Sequence, residues 1–382
     1  MMKVLIVSSS SHLAGHYWSY TADFASAIAS RYIQVDIYAS LPPKDSTLIE
    51  NPLVRWFSCA SWITIFRSLK QRELHWENRL ENLLRNLEFA VCLQRSLRSQ
   101  GNSHIHCIES RHRLLLNAVL QSKRNFSSLC VGSPTLEAKK MLGPLYRSAF
   151  STGRLKFIVE TEAVRSAWEE LAGANVVHIP VAASNRSESP LNKQECRKRL
   201  GLPEDAFVCL FFGTHREGKD YRTAIEAALI SRANPFLLFA GPIISGNDPD
   251  ALLKEYGYLN AVSLKHFFIE SEATILFDAC DAVVLPYAKG YEKGSAVLLQ
   301  ACKYGKPVIA SDTGHLSYFV NKHKTGRLFT PGNPQSLANV FDEVAQLDNY
   351  STQEINFHIK KATHEYSWNQ LIFRYSEIFK TV

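Results

Sequence analysis

The chain has no apolar run approaching the roughly 20 residues that span a bilayer as a helix. It opens directly in a strand-like segment, Lys3-Val-Leu-Ile-Val-Ser8, without the cleavage region of a secretory signal. Its eight cysteines are scattered, with no Cys-x-x-Cys pair and no His/Cys cluster at zinc spacing. These absences argue against a disulfide scaffold and a structural zinc. They point to buried thiols in a reducing compartment, and so to the cytoplasm. No internal repeat and no low-complexity tract is present. No nucleic-acid-binding motif accompanies the basic excess described below, so no nucleic-acid partner is expected.

What is present is the composition of a globular enzyme, 46% apolar and 21% charged. At 382 residues the chain is long for one core and suggests two domains. Residues 1–180 hold 21 Lys and Arg against 14 Asp and Glu, and the remainder is balanced. The whole net charge of +7 therefore belongs to the first half. A one-sided basic domain fits an anionic partner such as a phospholipid surface, a lipid diphosphate or a nucleic acid, or a plain solvated surface.

Strand-like and helix-like segments alternate, as in parallel α/β sheets. In the first half strands are expected at 3–8, 35–39, 104–108, 156–159 and 176–180, and helices at 17–30, 114–120 and 162–172. Residues 71–100 read as a long helix with apolar positions at Leu80, Leu83, Leu84, Leu87 and Val91. Residues 44–70 carry no clear signal. The overlapping stretch 52–72 interleaves Trp56, Phe57, Trp62 and Phe66 with Arg55, Arg67, Lys70 and Arg72. That mixture fits a core helix with a basic edge, or an interfacial segment docked peripherally on an anionic membrane at its cytoplasmic face. Residues 181–195 are polar and turn-rich, as a linker would be, and run into a capped helix at 192–200. Strands follow at 207–212, 236–240, 261–264, 282–285 and 308–310.

Residues 281–314 are the most informative stretch. The runs Ala282–Leu285 and Val308–Ala310 read as buried parallel strands. Between them, Gly294-Ser295-Ala296 can open a helix over 297–304, stopped by Gly305 with Pro307 behind it. Glu292 sits just before the helix start and Gln300 lies within the helix. Such a start after a strand turns backbone N–H groups and a positive helix end toward an anion. A second place of this kind follows Phe212, in Gly213-Thr-His-Arg216-Glu-Gly-Lys219, with a helix expected at 223–230. Glycine lets the backbone approach a diphosphate there, and the two cations neutralise it.

This ordered string resembles the donor site of retaining nucleotide-sugar glycosyltransferases of family 4, the glycosyl transferases group 1. It is a variant with Glu-x7-Gln in place of the usual Glu-x7-Glu. The resemblance covers the second half of the chain well and the first half loosely. It implies an α/β chain of the GT-B fold: two Rossmann-like domains facing a cleft, with a C-terminal helix crossing back to the N-terminal domain. The expected divisions are 1–185 for the acceptor domain, 186–365 for the donor domain and 366–382 for the closing helix.

The resemblance further implies that Glu292, Arg216 and Lys219 are the catalytic groups, Glu292 on the sugar and the two cations on the diphosphate. Gly213, Gly294, Ser295, Ala296 and Gln300 would bind the donor, Gln300 through its amide carbonyl to the ribose. The resemblance implies no cofactor and no metal. The implied reaction moves a sugar from a nucleoside-diphosphate sugar to a glycan or lipid-linked acceptor, as in polysaccharide biosynthesis. Two other readings keep the fold: a nucleotide-sugar epimerase, and a non-catalytic sugar-nucleotide-binding partner, the latter motivated by Gln300.

On the acceptor side, the loop from Ser9 ends at a helix start, and the resemblance makes Gly15 and His16 candidates. Period-two alternation puts His104, His106 and Ile108 on one strand face. Glu109, at that strand's carboxyl end, is better placed for chemistry than either histidine.

Overall fold

A computed structural model describes residues 2–9, 16–29, 33–40, 51–60, 62, 65, 78–101, 103–108, 111–130, 132–182, 191–246, 248–291 and 294–380. The chain forms two units, residues 1–180 with 368–382, and residues 181–367.

Among the described residues, the first unit has seven parallel strands. They are β1 (Met2–Ser8), β2 (Ile33–Ala39), β3 (Val54–Ser58), β4 (Ser103–Cys107), β5 (Phe126–Cys130), β6 (Leu155–Val159) and β7 (Val176–His178). Their order is β3-β2-β1-β4-β5-β6-β7. Its helices are α1 (His16–Ile28), α2 (Asn78–Leu97), α3 (His112–Gln121), α4 (Leu136–Ser151) and α5 (Glu162–Ala172). Val4 to Val7 are fully buried, which is why β1 is continuously apolar rather than alternating. Thr135 and Thr161 cap α4 and α5 by accepting from Ala138 N and Val164 N.

Two sequence expectations change here. Residues 54–58, within the stretch read as a helix or interfacial segment, form edge strand β3. Arg55 donates from Nε and Nη2 to buried Asp36 on β2, at 2.8 and 2.9 Å, and Lys3 joins Asp36 at 2.6 Å. That charge cluster, invisible to local periodicity, pins the strand to the sheet. The leucine stripe of α2 is also not its packing face. Leu80, Leu83 and Leu87 are 43%, 53% and 43% exposed, whereas Phe89, Cys92, Leu93 and Ser96 are buried.

The second unit has six parallel strands among its described residues. They are β8 (Val208–Phe212), β9 (Phe236–Ala240), β10 (Ala261–Leu264), β11 (Ala282–Leu285), β12 (Val308–Ser311) and β13 (Gly326–Phe329). Their order is β10-β9-β8-β11-β12-β13. The helices are α6 (Lys193–Leu200), α7 (Tyr221–Ile230), α8 (Pro249–Tyr256), α9 (Glu270–Ala279), α10 (Ala296–Lys303), α11 (Gly314–His323), α12 (Pro334–Ala345) and α13 (Asn349–Glu365). Alternate strand residues feed two cores: Leu210, Leu238 and Val283 one, Phe211, Phe239 and Ile309 the other. The last helix, α14 (Trp368–Lys380), belongs to the first unit. Its Tyr375 and Trp368 rings lie 4.8 and 5.5 Å from Phe24 of α1, and Tyr375 and Tyr20 share a hydroxyl hydrogen bond of 3.0 Å.

In the second unit, β8 lies between β9 and β11, and the winding reverses there. Open α/β sheets bind ligands outside the carboxyl ends of strands at such a reversal. The β8–β11 pairing, with Ala282 opposite Cys209 and Val283 opposite Leu210, brings together two loops about 70 residues apart in sequence.

Candidate active site

The loop after β8, residues 213–219, and the loop after β11, residues 286–291, are stitched by backbone hydrogen bonds. Asp220 N donates to Pro286 O at 2.5 Å and Ala288 N to Gly218 O at 2.9 Å. Lys219 and Tyr287 form a bridge between them. Asp220 then caps α7 through Thr223 N, which starts that helix two residues before the expected 223. A third loop braces the first from below: Gly213 N donates to Ala240 O at 2.9 Å and His215 N to Pro242 O at 2.8 Å.

Gly213 has φ +88°, a left-handed value that suits glycine. A Cβ there would lie 3.4 Å from Val297 Cγ2 in the first turn of α10 and 3.8 Å from Lys219 Nζ. Glycine thus opens one small space between a helix start and an ammonium group. Lys219 is buried and donates to Phe212 O at 2.9 Å. Burial, and then the nearby Arg216, bring its pKa down to about 7. Ser295, the N-cap of α10, makes no side-chain cap. Its hydroxyl lies instead 3.3 Å from Tyr287 Oη. The first-turn N–H groups of α10 therefore have no capping side chain from Ser295, the arrangement in which a helix start accepts an anion.

Arg216 approaches this wall through Tyr291, whose hydroxyl also meets Gly294. The structure thus brings Gly213, Arg216, Lys219, Gly294, Ser295 and Ala296 to one place. Gln300 lies one turn further along α10 from Ala296. Glu292, Gly15 and Glu109 lie outside the described residues; His16 is the first residue of α1. His104 and His106 are buried, each 2.8 Å from Ser127 Oγ, and burial lowers both pKa values to about 3. They are neutral packing groups beneath α14, with Phe379 4.8 Å from His104. Among the described residues, no group of three His, Cys, Asp or Glu is placed to hold a metal.

Sequence reasoning missed Tyr287, Tyr291, His215 and Gly241. His215 is fully buried with Nδ1 2.6 Å from Tyr221 Oη, and burial holds its pKa down to about 4. A Cβ on Gly241 would lie 2.3 Å from Gly213 O. None of these carries a motif: Tyr287 and Tyr291 meet Lys219 and Arg216 from a loop distant in sequence, Gly241 matters through the absence of a side chain, and His215 meets Tyr221 in the following helix.

Residues 192–360 match the family model for glycosyl transferases group 1. A D-inositol 3-phosphate glycosyltransferase of Stackebrandtia nassauensis is 32% identical over 170 residues, 41% of this chain and 38% of that protein. An uncharacterized glycosyltransferase of Methanocaldococcus jannaschii is 26% identical over 186 residues, 48% of this chain and 47% of that protein. The chain thus spans less than half the length of these curated relatives. Sucrose-phosphate synthase from Thermosynechococcus elongatus superposes with a TM-score of 0.74 at 16% identity, over 99% of this chain and 98% of that one. The Anabaena protein HepE in complex with UDP-glucose gives 0.69 at 16% identity, over 99% of both chains. The fold over the full chain is GT-B.

Proposed function

We propose that the chain is a retaining glycosyltransferase that moves a sugar from a nucleoside-diphosphate sugar to a glycan or lipid-linked acceptor. The observation that carries this reading is the meeting of buried Lys219, Arg216 and the start of α10 around Gly213. When the sugar–phosphate bond breaks, negative charge grows on the departing diphosphate. Cations and helix N–H groups already aimed there stabilise that charge without reorganising. Glu292 is assigned to the sugar hydroxyls and Gln300 to the ribose, in line with the family match over this segment. No metal is assigned a part in this reaction.

The test is a thermal-shift screen against UDP, GDP, dTDP and ADP, with and without EDTA. A selective rise with one nucleotide, indifferent to EDTA, is expected. UDP is the first candidate because a neighbour of the same fold is solved with UDP-glucose. Silence from all four would remove the reading.

The acceptor is assigned to the first unit, and the exposed leucines of α2 support a peripheral membrane contact. No helix among the described residues is long and apolar enough to cross a membrane. Leu80, Leu83 and Leu87 instead form an exposed stripe in the half of the chain that holds the basic excess. Such a stripe suits an anionic bilayer surface. In a flotation assay the protein should rise with vesicles containing anionic lipid, and Leu83→Glu should weaken this several-fold. Equal, negligible binding to neutral and anionic vesicles would rule the contact out.

A further inference from the structure

Tyr291 stands between the two halves of the candidate diphosphate grip. Its hydroxyl donates to Gly294 O at 3.1 Å and accepts from Arg216 Nη2 at 3.4 Å. The guanidinium carbon of Arg216 lies 5.8 Å from the Tyr291 ring centroid. The ring itself stacks on Tyr287, centroids 4.1 Å apart and planes 21° apart. Tyr287 is fixed in turn: it is buried, bridged to Lys219, and 3.3 Å from Ser295 Oγ.

The Tyr291 hydroxyl is therefore held by a donated and an accepted hydrogen bond on a stacked ring. Burial raises its pKa to about 12, so it keeps its proton across the working range. Arg216 spends one N–H on it and keeps the rest of its planar fork for phosphate oxygens. An arginine held this way loses less rotamer freedom when an anion arrives than one free in solvent. Gly294 O, just before α10, takes the hydroxyl proton and so fixes how the oxygen is presented to Arg216.

We propose that Tyr291 is a positioning residue whose hydroxyl preorganises Arg216 for a diphosphate. The inference rests on reading the site as a diphosphate grip. Tyr291→Phe keeps the ring and its stack on Tyr287 and removes only the hydroxyl. Dissociation constants for UDP, GDP, dTDP and ADP would be measured by calorimetry for the wild type, Tyr291→Phe, Arg216→Ala and the double variant. For the diphosphate that the wild type binds, Tyr291→Phe should weaken affinity about 3–10-fold. Its melting temperature without nucleotide should fall by no more than a few degrees, the cost of one hydrogen bond. In the Arg216→Ala background, the same change should cost less than about twofold, because its partner is gone. An equal loss in both backgrounds, or no loss in Tyr291→Phe, would overturn the positioning role and leave the diphosphate reading standing. Absence of binding by the wild type would overturn both.

Discussion

Replacing Lys219 with Ala should lower sugar-transfer turnover by about 10²–10³-fold, the typical cost of removing one preorganised group that stabilises developing charge. The protein should remain folded, since the ammonium group is a desolvated charge rather than a packing element. Its pKa also makes the role testable without mutation. In the free protein burial, then Arg216, bring Lys219 down to about 7. A diphosphate favours the charged form, so the pKa rises again in the complex. As pH climbs through 7 the free ammonium loses its proton and affinity falls, by at most about tenfold per pH unit, until the raised pKa is reached. Within that window binding takes up a proton, which calorimetry in two buffers of different ionisation enthalpy reads directly. Lys219→Ala should abolish the uptake. The folding linkage has the opposite sense. Between about 7 and the ordinary value of 10.5 the unfolded chain binds the extra proton, so the Lys219 contribution to stability improves as pH rises. Nucleotide affinity that stays flat from neutral to alkaline pH would contradict the assignment of Lys219 to the diphosphate.

Gly241→Ala should damage stability and nucleotide binding together. The added Cβ would lie 2.3 Å from Gly213 O and 2.6 Å from Gly213 C, both backbone atoms that cannot rotate away. Gly241 also has φ +153°, a value side chains rarely adopt. Overpacking and backbone strain together should cost roughly 2–4 kcal/mol in denaturant unfolding. The part that relaxes must move Gly213, the residue that borders Val297 and Lys219. Gly257→Ala serves as the control. Its φ of +65° carries strain, but nothing lies within 4 Å of the new Cβ. It should cost about 1 kcal/mol and leave binding intact. Equal nucleotide affinity in Gly241→Ala and the wild type would show that the Gly241–Gly213 approach does not shape the site.

Much of the second unit was legible in order of residues alone. Apolar β-branched runs mark β11 and β12 because a strand buried on both faces has no polar side to interrupt it. Gly213, Arg216 and Lys219 stand at a strand exit, where glycine and cations have a shared physical reason to occur. The start of α10 was readable for the same reason, within one residue. The first unit was less legible. Residues 54–58 form a strand because Asp36 and Arg55 pair across it, and nothing local announces that pairing.

By itself, the sequence determined the alternation of strands and helices, the location of the two glycine-bearing strand exits and the cations Arg216 and Lys219 at one of them. These depend on local backbone preference and on short-range spacing. Only the tertiary structure decided that β8 lies beside β11, so that residues 213–219 and 286–291 lie together with the start of α10 beside them. It also decided that the α2 leucines face outward, that Tyr291 meets Arg216, and that Gly241 packs against Gly213. Each of these depends on which surface lies opposite a residue, and that surface is supplied by chain far away in sequence.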